Sequence, residues 1–192
     1  MKKSIVVASL VMMGSALMAA DMGNGWFMGT EFGGMDIKMK ATASSGGTTA
    51  SITDTMNTTY ESLKIGKYID NSRLYTAINY QNKKDDFSSW TWGLGYDYLM
   101  KNSSSITPFI GANASYIKGK VDDMPVLDKP EGFAAGIEAG FIYTLSSNTE
   151  LEAGIRYMNI SNVKDSATIS GASVKMEGKT ATQYYLGINY KF

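Results

Sequence analysis

The sequence predicts an all-β chain: an eight-stranded antiparallel up-and-down transmembrane β-barrel preceded by a cleavable signal peptide. Three observations carry this. In residues 184–192, Tyr184, Leu186, Ile188, Tyr190 and Phe192 share one face of an extended strand, while Tyr185, Gly187, Asn189 and Lys191 share the other. After residue 20 the apolar residues recur with period two, and no stretch sustains the spacing of a helix. The connections between alternating segments are short and long in turn, as in a membrane meander with tight turns on one side and loops on the other.

The amino terminus addresses the chain for export. Met1-Lys2-Lys3 is a short positive segment, residues 5–13 are apolar except for Ser9, and the small residues Ala16, Ala19 and Ala20 follow. That is the layout of a secretory signal peptide. A transmembrane helix needs about 20 apolar residues, and this run gives way first to Asp21-Met22-Gly23-Asn24-Gly25. Cleavage is expected after Ala20, with Met18 departing from the small-x-small rule, so that residues 1–20 are signal peptide and 21–192 the barrel domain. No Cys follows, so a lipid-anchored precursor is not expected. Loss of Lys2 and Lys3 lowers the basic side chains from 18 to 16, against 18 acidic ones. So weak a balance supplies no basic stripe for nucleic acid. A chain without Cys suits passage through an oxidising periplasm without disulfides. The mean hydropathy of −0.15 is too polar for a helical membrane protein and fits a barrel, in which half of each strand is polar.

Each strand follows from its alternation. The first, about 26–37, turns Trp26, Met28, Thr30 and Phe32 outward and Phe27, Gly29, Glu31 and Gly33 inward. The second, about 60–69, puts Leu63 and Ile65 outward and Lys64 and Gly66 inward, a phase that leaves Tyr60 and Tyr68 on the inner set. Asp70-Asn71-Ser72 is turn chemistry. The third, 74–81, alternates Leu74, Thr76, Ile78 and Tyr80 with Tyr75, Ala77, Asn79 and Gln81. The fourth sets Trp90, Trp92, Leu94, Tyr96 and Tyr98 against Thr91, Gly93, Gly95, Asp97 and Leu99. The fifth, 106–116, faces Pro108, Ile110, Ala112, Ala114 and Tyr116 outward. The sixth, 133–143, sets Phe133, Ala135, Ile137, Ala139, Phe141 and Tyr143 against Gly136, Glu138 and Gly140. The seventh, 149–158, sets Leu151, Ala153, Ile155 and Tyr157 against Glu150, Glu152, Gly154 and Arg156. The carboxyl-terminal strand is the eighth.

Short connections fall near 70–73, 101–105 and 145–148, longer polar ones near 38–58, 81–88, 117–131 and 159–180. Both termini therefore lie at the short-turn end. Outward aromatics gather at the two ends of the strands: Tyr80, Trp90, Tyr116, Phe133, Tyr157 and Tyr184 at one, Trp26, Tyr98, Tyr143, Tyr190 and Phe192 at the other. Amphipathic rings favour such interfacial belts. An open sheet in hydrocarbon would strand its edge N–H and C=O groups, so the first and eighth strands must pair. Residues 42–59, rich in Thr, Ser, Gly and Ala, read as a mobile loop.

With these segments in place, the chain resembles the small eight-stranded outer-membrane proteins: the OmpA transmembrane domain, OmpX and the opacity-type "porin family". The resemblance covers about residues 24–192. It rests on Gly25-Trp26-Phe27-Met28-Gly29, Thr107-Pro108-Phe109-Ile110-Gly111-Ala112, Glu150-Leu151-Glu152-Ala153-Gly154-Ile155-Arg156-Tyr157 and the terminal Phe192. It implies residence in the outer membrane of a Gram-negative bacterium, among lipid and lipopolysaccharide. It also implies delivery by periplasmic chaperones to a barrel-assembly machinery that reads Tyr184, Leu186, Ile188, Tyr190 and Phe192 as its signal. No cell-wall-binding domain is expected after the eighth strand.

The inward positions place Glu31, Lys64, Glu138, Glu152 and Arg156 near mid-barrel, three carboxylates facing two cations. Unpaired charge in a narrow interior is costly, so these five should form one network. It reads either as a plug that fixes strand register or as a gate on a narrow water path, the latter implied by the OmpA-type interior. Eight strands leave room for side chains and hardly for solute, which favours the plug. Outer-membrane enzymes of related shape use a catalytic His, and this chain has no His. No nucleophile–base–orienter set stands out either, so no catalytic activity and no cofactor are expected. Asp85-Asp86 and Asp122-Asp123 lack the spacing of a calcium loop, and no metal site is expected. Lys83, Lys84, Lys118, Lys120 and Lys129 read either as ordinary solvated loop charge or as rim charge that meets lipopolysaccharide phosphates. The inward Gly residues read as space for lumen side chains, and Met28 and Met158 as lipid-facing filler.

The expected role is structural or surface-interacting, through four outer loops that meet lipopolysaccharide, a host molecule or another cell. A low-conductance pore gated by the inner charges is the alternative. A soluble barrel with an apolar interior would need Trp90, Trp92, Leu94 and Tyr96 inside and Gly, Asn and Glu outside, which the Gly-heavy polar face opposes.

Overall fold

A computed structural model describes residues 25–84, 86–121, 130–161, 163–169 and 172–192. The expected signal peptide lies outside them, as do Asp85 and the Asp122-Asp123 pair. The strands are β1 (Trp26–Ser45), β2 (Thr48–Ile69), β3 (Ser72–Lys84), β4 (Phe87–Leu99), β5 (Ile106–Val121), β6 (Glu131–Thr144), β7 (Thr149–Ser161), β8 (Lys164–Ile169) and β9 (Ala172–Lys191). From β1 to β7 each strand pairs antiparallel with the next, β7 pairs with β9, and β9 returns to β1. Eight strands thus close an up-and-down ring. The short β8 stands outside it and, among the described residues, pairs only with β9.

Closure runs from Phe27 opposite Lys191 to Ile37 opposite Ala181, with an irregularity between Lys38 and Met39. This seam removes the open edges that hydrocarbon cannot solvate. Alternation then sorts the side chains. Leu94, Ile137 and Leu186 point away from the lumen and are more than 60 % exposed, whereas Glu31, Phe109 and Asn189 point into it and are at most 1 % exposed. Tyr60 is buried with Ser62 and Lys64, so the inner tyrosine phase of β2 is the one adopted. Met158 departs from the expectation of a lipid-facing residue. It is two positions on from Arg156, keeps the inward phase and is buried in the lumen's apolar cluster. Met28 holds the outward phase but is only 7 % exposed.

The strands run further than expected at the long-connection end. Residues 42–59 are a regular hairpin rather than a mobile loop, with Ser45 opposite Thr48 around Gly46 and Gly47. Both glycines have positive φ, 56° and 83°, as a two-residue primed turn requires. Threonine suits a strand, and the ladder supplies the backbone partners that a loop would seek from water. The connection near 159–180 contains β8 and the start of β9. That part of β9 pairs with β1 on one edge, as in Lys40 with Glu177, and with β8 on the other, as in Lys164 with Glu177. At the near-81–88 connection the strands run on until Lys84 stands opposite Phe87.

β1 and β2 have 20 and 22 residues, against about 9–11 for one tilted membrane crossing. Their far halves, with the start of β9 and with β8, therefore form a four-stranded sheet standing beyond the lipid band in the order β2–β1–β9–β8.

Candidate functional site

Glu152 of β7 is the hub of the lumen. Its Oε2 accepts from Lys64 Nζ at 2.7 Å, Arg73 Nη1 at 2.7 Å and Asn189 Nδ2 at 2.7 Å. Its Oε1 accepts from Arg73 Nη2 at 2.8 Å and Tyr185 Oη at 3.0 Å. The paired contacts from one guanidinium to both oxygens are the fork geometry in which Arg binds a carboxylate most firmly. Arg73 turns its remaining Nε to Asp97 Oδ2 at 2.6 Å, and Lys64 also donates to Glu31 Oε1 at 3.0 Å.

A second centre forms around Glu138 of β6. Its Oε2 accepts from Arg156 Nε at 3.0 Å and Nη2 at 2.8 Å, and its Oε1 accepts from Tyr75. Arg156 Nη1 donates to Gln183 Oε1 at 2.9 Å and lies 3.5 Å from Glu31 Oε2. Glu31 thus stands between Lys64 and Arg156 and joins the two centres. Aromatic faces complete the cage: the Arg73 guanidinium carbon is 4.9 Å from the Phe109 ring centre, and that of Arg156 is 5.0 Å from Tyr185. Such placement adds attraction where water is excluded.

The structure therefore brings Glu31, Lys64, Glu138, Glu152 and Arg156 together, each at most 6 % exposed. It adds two charged residues that the sequence reading left out, Arg73 and Asp97, both fully buried. The sequence pattern begins the third strand at Leu74 and leaves Arg73 in the connection before it. β3 in fact begins at Ser72, and the inward phase of Tyr75 and Ala77 extends back to Arg73. Asp97 was on the inner set of its strand but had no visible partner until Arg73 faced it in the ladder. Three cations and four carboxylates result. At the short-turn mouth, Tyr68 Oη donates to Glu150 Oε2 at 2.5 Å and Lys191 Nζ to Glu150 Oε1 at 2.8 Å, a smaller cluster.

Glycines make the room. A side chain at Gly95 would overlap the Tyr75 ring, and one at Gly154 would overlap the Tyr185 ring and hydroxyl. Gly on one strand is a socket for the tyrosine of its neighbour, which explains two of the inward glycines by close approach rather than by turn geometry.

At the outer ends of the strands the charges pair locally. Lys83 meets Asp86 at 2.9 Å, and Lys118 meets Glu131 at 3.3 Å. On the projecting sheet Glu177 lies between Lys179 at 2.9 Å and Lys175 at 3.0 Å. The hydrogen bond from Lys179, then that from Lys175, lowers its carboxyl to about 2. Among the described residues, no group of three or more candidate metal ligands gathers.

A family model described as "Outer membrane protein beta-barrel domain" matches residues 5–192. No curated protein matches the chain. Among solved structures, Neisserial surface protein A is 20% identical with a TM-score of 0.60, and the match covers 88% of this chain and 98% of that one. The N-terminal β-barrel domain of Pseudomonas aeruginosa OprF is 13% identical, with a TM-score of 0.56 and coverage of 89% and 100%. P. aeruginosa OprH, solved in DHPC micelles, is 20% identical, with a TM-score of 0.55 and coverage of 88% and 99%. At these identities the likeness is one of fold.

Proposed function

The chain belongs to the outer membrane protein β-barrel domain family and resides in the outer membrane of a Gram-negative bacterium, and from that premise we propose that it is a closed, non-enzymatic barrel whose projecting sheet makes contacts at the cell surface. The supporting observation is a contrast between the two halves of the molecule. Mid-barrel is filled by hydrogen-bonded ion pairs centred on Glu152, which suits a plug. Beyond the rim, β1, β2, β8 and β9 continue as a sheet that the barrel itself does not need for closure.

The contacting partner is lipopolysaccharide, a host molecule or another cell, with the exposed Thr and Ser of residues 48–55 as the most prominent surface. Lys118, which also pairs with Glu131, and Lys120 are exposed at the rim of β5, and in this reading they contact lipopolysaccharide phosphates. Deleting residues 42–51 and joining the shortened strands with a new two-residue turn tests this role. The barrel is expected to assemble with unchanged thermal stability, while cells displaying it bind epithelial cells or other bacteria several-fold less well. Undiminished binding would remove the hairpin from the account.

Export is assigned to residues 1–20 and assembly to the terminal strand. Phe192 donates its N–H to Trp26 O at 3.0 Å, and its ring packs edge-on to Tyr190 at 5.4 Å. These contacts are small in the finished barrel, so deletion of Phe192 should slow membrane insertion in cells without lowering the stability of refolded protein. Normal insertion kinetics would mean that the terminal residue carries no assembly signal.

A further inference from the structure

On the long-hairpin side of Arg156 the lumen holds a cavity of about 70 Å³. Its two walls differ in kind. Met35, Met158 and Ile160 form an apolar side on β1 and β7, and Asn79, Gln81 and Asn113 belong to a polar side on β3 and β5. Bulk water would not call for the first wall, and a simple apolar core would not call for the second.

The polar wall is incompletely partnered. Gln81 is 2 % exposed; its Oε1 accepts from Ser89 Oγ at 2.8 Å, but among the described residues its Nε2 has no acceptor. Among the same residues Asn113 Nδ2 is a second donor without a partner, and Asn79 Oδ1 is an acceptor without one. Leaving such buried groups unpaired costs folding free energy, so their retention asks for an occupant that pairs with them. A hydroxyl both donates and accepts, which matches this set. Among the described lining residues only Arg156 is charged, and it is already held by Glu138 and Gln183. The occupant is therefore neutral. The cavity holds about five water-sized positions, the scale of one ring, and thioether sulfurs favour contact with aromatic edges.

We propose that this chamber binds a small neutral phenol-like molecule, its ring against Met35 and Met158 and its hydroxyl at Gln81 and Asn113. The cavity also touches the base of the projecting sheet through Met39 and Gly178, but the proposal does not rest on the surface role assigned to that sheet.

The test uses the full barrel refolded in lipid nanodiscs, with the methionine methyl groups labelled with carbon-13, titrated with phenol and separately with toluene. Phenol is expected to shift the Met35 and Met158 methyl signals saturably, while Met100, at the short-turn end, follows only linear partitioning into lipid. Asn113→Leu keeps the volume and removes a donor. It should weaken phenol binding about tenfold and leave toluene binding unchanged. Ser115→Phe should fill the chamber and abolish the saturable shift; should it fail to fold, Asn113→Leu still decides. Linear shifts at every methionine, no shift at Met35 and Met158, or equal phenol affinity in wild type and Asn113→Leu would each overturn the proposal.

Discussion

Replacing Glu152 with alanine is expected to destabilise the barrel by about 3–5 kcal/mol, the cost typical of removing one partner from a buried ion pair. Glu152 accepts from Lys64, Arg73, Asn189 and Tyr185, and every one of these donors is buried. Without it, Lys64 keeps only Glu31 and Arg73 keeps only Asp97. Three cations then face three carboxylates, but the two nearest the lost group have no oxygen at hydrogen-bond distance on that side. Urea unfolding in phospholipid vesicles reads the loss directly. A double variant, Lys64→Met with Glu152→Leu, should cost clearly less than the sum of its single changes, because each single change leaves a charge that the pair removes. A loss below about 1 kcal/mol for Glu152→Ala, the scale of an exposed pair, would mean that water reaches the network and that it does not seal the lumen.

Gly95→Leu is expected to prevent the barrel from reaching its folded form. The new side chain falls on the Tyr75 ring, and Tyr75 donates to Glu138. Overpacking alone costs about 1–3 kcal/mol. Displacing Tyr75 also leaves one Glu138 oxygen unpartnered in a buried site, which adds about 1–3 kcal/mol. Folded and unfolded forms separate by gel mobility before and after heating, and the folded band should be lost. A second change, Tyr75→Ala, returns the volume and should restore part of that band. Normal folding of Gly95→Leu alone would show that Tyr75 has another seat and that the glycine socket is not required.

The ring of strands was legible because one face of each strand meets lipid and the other meets a packed lumen, which prints period two on the residues. Trp90, Trp92, Leu94 and Tyr96 are the clearest case. The same pattern fades where both faces meet water. Residues 42–59 are mostly Thr, Ser, Gly and Ala, with Ile52 and Met56 as the larger apolar side chains on one face, so alternation carries little signal there; the turn itself is made by Gly46 and Gly47. Five of the lumen charges were visible from their inward phase. Arg73 was hidden by its place beside a turn, and its partnership with Asp97 depends on the register between β3 and β4, which no single strand encodes. The pairing of Arg73 with Glu152 spans 79 residues and needs the curvature of the closed ring. Met158 shows the reverse error: its inward phase could be read from Arg156, but its apolar character suggested lipid.

Single-channel recording from the refolded protein in a planar bilayer tests most directly whether the ionic network shuts the barrel. The wild type is predicted to be electrically silent at moderate voltages, and a combined Arg73→Ala, Glu152→Ala variant, if it folds, to show small openings. Regular openings from wild type that vanish or change size in Arg156→Ala would contradict the closed lumen and make the network a gate.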